Sequence, residues 1–203
     1  QLNGGQVVSG TITQSGTYYM YDGANGCSDE QPVSITINPL PTVVSFTGED
    51  SYCAGDVVSD LFVEVTGSPN YTINYTLNGV GQSANGSASP INIGNTEGVY
   101  TITGISDVNC SNTANGTQTI VVNPIPSAPN VSDDVVYCLG NDYQAMVASG
   151  NGGTFNWFND AALTNSAGSG SNLIPTETTG SVTYYVTETS TAGCEGPPSE
   201  VII

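Results

Sequence analysis

The chain has no lysine, no arginine and no histidine, although it carries 18 aspartates and glutamates and a formal charge of −18. At ordinary usage, about two dozen basic residues would be expected in a chain of this length. Nothing here can neutralise phosphates, so nucleic acid is excluded as a partner. An anionic membrane surface is excluded for the same reason. Without imidazole there is no histidine base, and no common zinc ligand besides cysteine. The many serines lack the histidine or lysine that would activate a nucleophile, and cysteine–histidine catalysis fails likewise. Lysine-based isopeptide cross-links cannot form. Two readings of the deficit stand side by side: self-repulsion that keeps the surface soluble, and removal of the residues after which trypsin-like proteases cut outside the cell.

Other features are scarce too. No apolar run is long enough to cross a bilayer, and the longest, such as Ile120 to Val122 and Val201 to Ile203, are strand-sized. No signal peptide opens the chain, and none is expected of a sequence that begins inside a longer protein. No stretch sustains 3.6-residue periodicity over three turns. "DYQAMVASG" comes nearest to a helix and reads equally well as a strand after a turn.

What is present is alternation. "QVVSGTITQSGTYYMY", "VSITINP", "DLFVEVTG", "NYTINYTLNG", "VYTITGI", "TQTIVVNP", "GTFNWFND" and "VTYYVTETS" set apolar against polar residues, with Gly, Ser, Thr and Asn between them. Period two places one face of a strand in a core and the other in water. An all-β protein is expected. "SGTYYMYDGANGC" at 15–27 returns loosely as "EGVYTITGISDVNC" at 97–110 and again as "GSVTYYVTETSTAGC" at 180–194. A tyrosine strand, a polar turn and a cysteine thus recur, which is an architectural signal.

Two proline-bearing stretches punctuate the order: "INPLPT" at 37–42 and "VNPIPSAP" at 122–129. Proline cannot donate to a ladder, so pairing should stop there and a stiff connector begin. The division predicts a partial unit at 1–42 and whole units at 43–127 and 128–203, each whole unit the size of a small β-sandwich. The cysteines follow it. "YCAGD" at 52–56 matches "YCLGN" at 137–141, and nearly the same spacing separates Cys53 from Cys110 and Cys138 from Cys194. Bonds within each unit are the favoured scheme, which implies an oxidising compartment. A rival joins Cys27 to Cys53 and Cys110 to Cys138, across an extended strand and a connector. Cys27 then has its partner outside this chain, in a longer array expected to extend in both directions.

The ordered set from "YCLGN" through "GTFNWFND" to "VTYYVTETSTAGCEGPPSEVII" resembles the immunoglobulin-like tandem repeats of secreted Bacteroidota surface proteins. "YCAGD", "SPNYTINYTLNG", "VYTITGISDVNC" and "TIVVNPIP" are similar to sister repeats, and residues 1–42 to the back half of one. The resemblance implies tandem immunoglobulin-like β-sandwiches joined by short proline-containing linkers. It implies adhesins, gliding-motility filaments or stalks of exported enzymes, type IX secretion, a cell-surface location and no catalysis within the repeats. The family contains lysine and arginine, so their absence belongs to this protein. Cys53 and Cys138 stand before the second strand, unlike the antibody bridge.

Few candidate sites remain. The acid pairs Asp29–Glu30, Glu49–Asp50 and Asp133–Asp134 suit a two-carboxylate glycosidase only if both acids share a face, and strand neighbours do not. Glu49, Asp50, Asp133 and Asp134 follow connectors, where calcium could stiffen a joint, but no EF-hand spacing is present. Trp157, the single tryptophan, reads as core beside Phe155, or else as an aromatic platform for sugar. In Tyr18–Tyr19 and Tyr184–Tyr185 one ring should point inward and one outward. Asn-x-Ser/Thr patterns at Asn70, Asn74, Asn85, Asn109, Asn115 and Asn130 are expected by chance in so Asn- and Thr-rich a chain. The expectation is a non-enzymatic, load-bearing segment of an extracellular adhesin or filament, in cell attachment, gliding or prey and surface capture. Its partners are sister repeats of the same polypeptide and, laterally, copies of itself, with any glycan or cell-surface target met by domains outside the segment. A stalk of a secreted hydrolase and a carbohydrate-binding module are the alternatives.

Overall fold

A computed structural model describes residues 10–22, 29–134 and 136–203. Every regular element among them is a strand. In chain order these are β1 (Gly16–Asp22), β2 (Asp29–Ile35), β3 (Thr42–Thr47), β4 (Asp50–Cys53), β5 (Leu61–Thr66), β6 (Tyr71–Leu77), β7 (Val80–Gly86), β8 (Ile91–Gly94) and β9 (Gly98–Ser106). There follow β10 (Ser111–Thr113), β11 (Thr117–Asn123), β12 (Asn130–Val131), β13 (Met146–Ser149), β14 (Thr154–Phe158), β15 (Ser166–Ser169), β16 (Asn172–Leu173), β17 (Thr183–Thr189) and β18 (Ser199–Ile202). "DYQAMVASG" therefore contributes a strand, β13. The contacts divide the chain into two compact units, 1–48 with 60–118, and 49–59 with 119–203.

In the first unit, β1 and β2 form an antiparallel pair with Gly16 opposite Ile35. β5 lies between β3 and β8. It buries Leu61, Val63 and Val65 and turns Phe62, Glu64 and Thr66 outward, the period-two pattern in full. β6 lies between β7 and β9, and β10 adds to β9. Tyr71 and Ile73 of β6 are buried, as are Tyr100, Ile102 and Ile105 of β9. The inward step from Ile102 to Ile105 spans three residues because the pairing with β6 shifts there, a bulge that restores the apolar face. Each such side chain contributes roughly 1.5–3 kcal/mol when fully buried.

The chain changes sheets after β3. Gly48 (φ +110°) makes the turn, and a Cβ there would stand 2.9 Å from the Asp60 carbonyl, so only glycine fits. β4 then pairs in parallel with β11, Asp50 level with Ile120 and Cys53 with Asn123.

In the second unit, β12, β13 and β16 make one sheet and β15, β14, β17 and β18 another. Met146 and Ala148 from the first meet Phe155, Trp157, Tyr184, Val186 and Val201 from the second in one apolar core. Residues 37–41 and 124–129, which hold the two proline stretches, form no strand.

Candidate functional site

The recurrent tyrosine strands share one device. Tyr18 of β1 is buried, and its hydroxyl donates to the Gln14 carbonyl at 2.7 Å. Tyr100 of β9 does the same to the carbonyl of Thr96 at 2.9 Å. The Tyr184 hydroxyl of β17 accepts the Thr176 N–H at 3.2 Å. Each ring thus enters the core while its oxygen ties down the approach to the strand. Tyr19 and Tyr185 are the outward members, Tyr19 being 38% exposed.

The cysteine after each tyrosine strand is treated differently. Cys27 lies outside the described residues. Cys110 is a free thiol in the turn between β9 and β10. The turn is held by Asp107, whose carboxylate accepts N–H groups of Ser68 at 2.9 Å, Asn109 at 2.8 Å and Cys110 at 2.7 Å. These bonds, the Ser68 N–H foremost, hold the Asp107 carboxyl below the usual carboxylate range. Cys194 is bonded to Cys53, with 5.5 Å between their Cα atoms.

The bonds expected between Cys53 and Cys110 and between Cys138 and Cys194 are therefore not the ones formed; Cys110 and Cys138 are free. Cys53 is level with Asn123, the last residue of β11, whereas Cys110 comes before β10, where that run of strands begins. Cys138 is exposed in a loop pinned to Glu177 through the Gly140 N–H, ahead of β17, whereas Cys194 follows β17. A seven-residue strand separates these ends by about 23 Å. A disulfide tolerates about 7 Å between Cα atoms.

Beside Cys194 lies the most buried carboxylate of the described residues, Glu188, 1% exposed. Both its oxygens act as acceptors. Oε1 takes the N–H groups of Asn151 and Gly153, each at 2.8 Å, and Oε2 takes the Asn151 N–H at 3.0 Å. No cation balances it, since the chain has none; backbone dipoles of the 150–153 loop do so instead. A Cβ on Gly150 would collide with the Glu188 carboxylate, and one on Gly153 with the Glu188 side chain and the Thr189 carbonyl. The loop can wrap the acid only as glycine. Next to Glu188 is a cavity of about 250 Å³ lined by Pro126, Ser127, Asn151, Gly152 and Thr191. It is a gap between connector and loop, and no second acid, thiol or basic group converges on it.

Trp157 is fully buried and donates its Nε1–H to the Gly170 carbonyl at 2.9 Å, so it offers no face to a sugar. Glu49, Asp50, Asp133 and Asp134 are exposed. Asp50 accepts the neighbouring Ser51 N–H at 2.7 Å, and Asp134 the Ile202 N–H at 2.8 Å. Among the described residues, no three of the Asp, Glu and Cys side chains gather as a metal site. Asp160 is likewise engaged, accepting N–H groups of Asn165 and Thr164 and the Thr164 hydroxyl. These bonds, that of Asn165 first, keep its carboxyl below the ordinary range.

Residues 126–203 match the family described as "Ig-like domain CHU_C associated", and residues 41–120 the one described as "Nucleoporin pom152-like, ninth immunoglobulin-like domain". No curated protein sequence matches the chain. Among solved structures it is similar to the I-band fragment I67–I69 from titin, at 12% identity over 94% of this chain and 75% of that one, with a TM-score of 0.52. It is also similar to domains A168–A170 from titin, at 12% identity, 92% and 73% coverage and a TM-score of 0.51. Likeness at such identity is likeness of fold. The tyrosine closure agrees with it, being the tyrosine corner of immunoglobulin sandwiches. The fold is an immunoglobulin-like β-sandwich.

Proposed function

We propose that the chain is a structural, load-bearing segment of a larger extracellular surface protein, an adhesin or filament, which holds binding domains away from the cell. The observation that carries this reading is the use made of every well-placed polar group. Glu188 and the tyrosine hydroxyls tie loops to strands, and Asp107 and Asp160 close turns between strands. The disulfide adds a covalent link suited to an oxidising exterior. None of these groups is paired with an activating base, which supports a non-catalytic role. Export through the type IX system of a Bacteroidota cell, with a part in gliding or surface capture, rests on the ordered motifs of the repeats. Side-by-side association through sheet edges such as β7 belongs to the same proposal, and a monodisperse monomer by light scattering of the native assembly would remove it.

The reading is tested in the producing cell. Residues 43–203 are replaced in the full-length protein by a flexible Gly/Ser linker of equal residue count, and attachment is measured under flow. Loss of attachment at high shear, with surface display intact by antibody labelling, is expected. Unchanged attachment would overturn the load-bearing role and leave a passive spacer, such as the stalk of a secreted hydrolase.

A further inference from the structure

Cys53 and Cys194 are 141 positions apart, so the bond between them closes a loop. That loop contains β5 through β17, the connector at 124–129, the cores around Tyr100 and Trp157, and the Glu188 cradle. We infer that the bond is a force shunt: tension along the polypeptide passes from Cys53 straight to Cys194 and leaves the enclosed residues unloaded. The inference rests on the load-bearing reading above, and it names which part of the chain bears the load.

The argument is one of covalent connectivity. A pulled chain extends along its shortest covalent path, and between these two residues that path is one disulfide, with Cα atoms 5.5 Å apart. Without it the path would run through the whole intervening chain, which can lengthen by about 500 Å at roughly 3.5 Å per residue. Within the enclosed chain the connector has no strand pairing of its own, and under load it would hand the tension to β11 and β12. With the bond in place, only β1–β4 before Cys53 and β18 after Cys194 remain in line. Both boundary strands are held by strands inside the loop, β4 by β11 and β18 by β17 from Val186–Ser199 to Thr183–Ile202. Tension can therefore peel a boundary strand, but it cannot unravel the strands behind it.

The test is single-molecule stretching of the whole chain between handles at its two ends, before and after dithiothreitol. The dithiol gives two electrons and two protons to the bond, leaving two cysteine thiols and its own cyclic disulfide. Before reduction the total extension should stop near about 200 Å, the span of the residues outside the loop. After reduction it should grow by about 500 Å. Cys53→Ser and Cys194→Ser should give the long trace without reductant, and Cys110→Ser the short one. If a serine variant does not fold, the reduced natural chain still carries the comparison. Equal extension before and after reduction would overturn the shunt, as would non-reducing peptide mapping that links Cys53 to Cys110. Mapping needs a protease directed at Asp or Glu, since the chain offers trypsin no site. The shearing assay is separate. A shunt can fail while attachment is lost as expected, and a spacer can still show the short trace.

Discussion

The turns after β9 and after β17 occupy the same place in their repeats, and they are closed by different means. After β9 the turn is closed by hydrogen bonds: Asp107 gathers the N–H groups of Ser68, Asn109 and Cys110, and the cysteine forms no disulfide. After β17 the turn is committed elsewhere, with Cys194 tied to Cys53 and Glu188 buried against a glycine loop. The Asp107 cap reaches back to Ser68 through hydrogen bonds alone. A disulfide and a buried acid fix segments far apart in the chain. One repeat motif therefore supplies either a hydrogen-bonded turn or a covalent anchoring point, depending on what surrounds it.

The contrast is sharpest at the cysteines. Cys194→Ser or Cys53→Ser should lower stability by about 2–5 kcal/mol, measured by urea unfolding, whereas Cys110→Ser should change it by less than about 0.5 kcal/mol. Equal effects would erase the distinction between the two turns. Next comes the buried acid. Glu188→Gln places an NH₂ among backbone N–H donors and should cost about 1–3 kcal/mol. Gly150→Ala should cost about as much, again roughly 1–3 kcal/mol, by pushing a methyl group into the carboxylate. The tyrosine closures follow. Tyr100→Phe keeps the ring but orphans the Thr96 carbonyl, for about 0.5–1.5 kcal/mol.

The acid response of the first turn is smaller. Because the folded Asp107 and Asp160 carboxyls are held below their ordinary range, their contribution is present above the unfolded carboxylate range, and it is lost as pH falls through the lower folded values. Asp107→Asn with Asp160→Asn should flatten the acid limb of a stability–pH curve by lowering its neutral plateau, and leave the most acidic end little altered. A curve of unchanged shape would show that these caps do not control acid unfolding. The smallest effect expected is that of calcium. Asp50 and Asp134 already accept backbone N–H groups, so millimolar calcium should leave the thermal midpoint in place. An upward shift would reinstate the acids after the connectors as ligands.

Much of this fold was legible because its determinants are local. Alternation along "DLFVEVTG" and "VTYYVTETS" marked β5 and β17, and the prolines marked where pairing stops. The cysteine pairing was not legible, because it depends on β3 giving way to β4 at Gly48 and on parallel pairing with β11. Nothing in the spacing of cysteines encodes a change of sheet. Glu188 was hidden for a related reason. Period two assumes one wet face, yet Val186, Thr187 and Glu188 are all buried. Glu188 lies on the core face with Tyr184 and Val186, opposite Phe155, where the 150–153 loop caps its carboxylate. On the other face Thr187 is covered where its hydroxyl donates to Glu195 at 2.7 Å. The run "SGNGGT" was the available clue, since glycines so dense suit a loop that must press its backbone onto something. Trp157 was legible as core because it alternates with Phe155 along β14, and both side chains are buried.

That tryptophan has a practical consequence. It is the chain's single indole, it sits in the core of the second unit, and its N–H is already donated to Gly170. The first unit's core carries only phenol rings, Tyr75 stacked on Tyr100 with centroids 5.7 Å apart. Excitation at the red edge of protein absorbance therefore addresses one sandwich alone. Its emission, short in wavelength while the indole is dry, should move to the red when that sandwich opens and should stay silent when the other does. The molecule carries its own optical reporter, which separates the melting of one half from the other without a label.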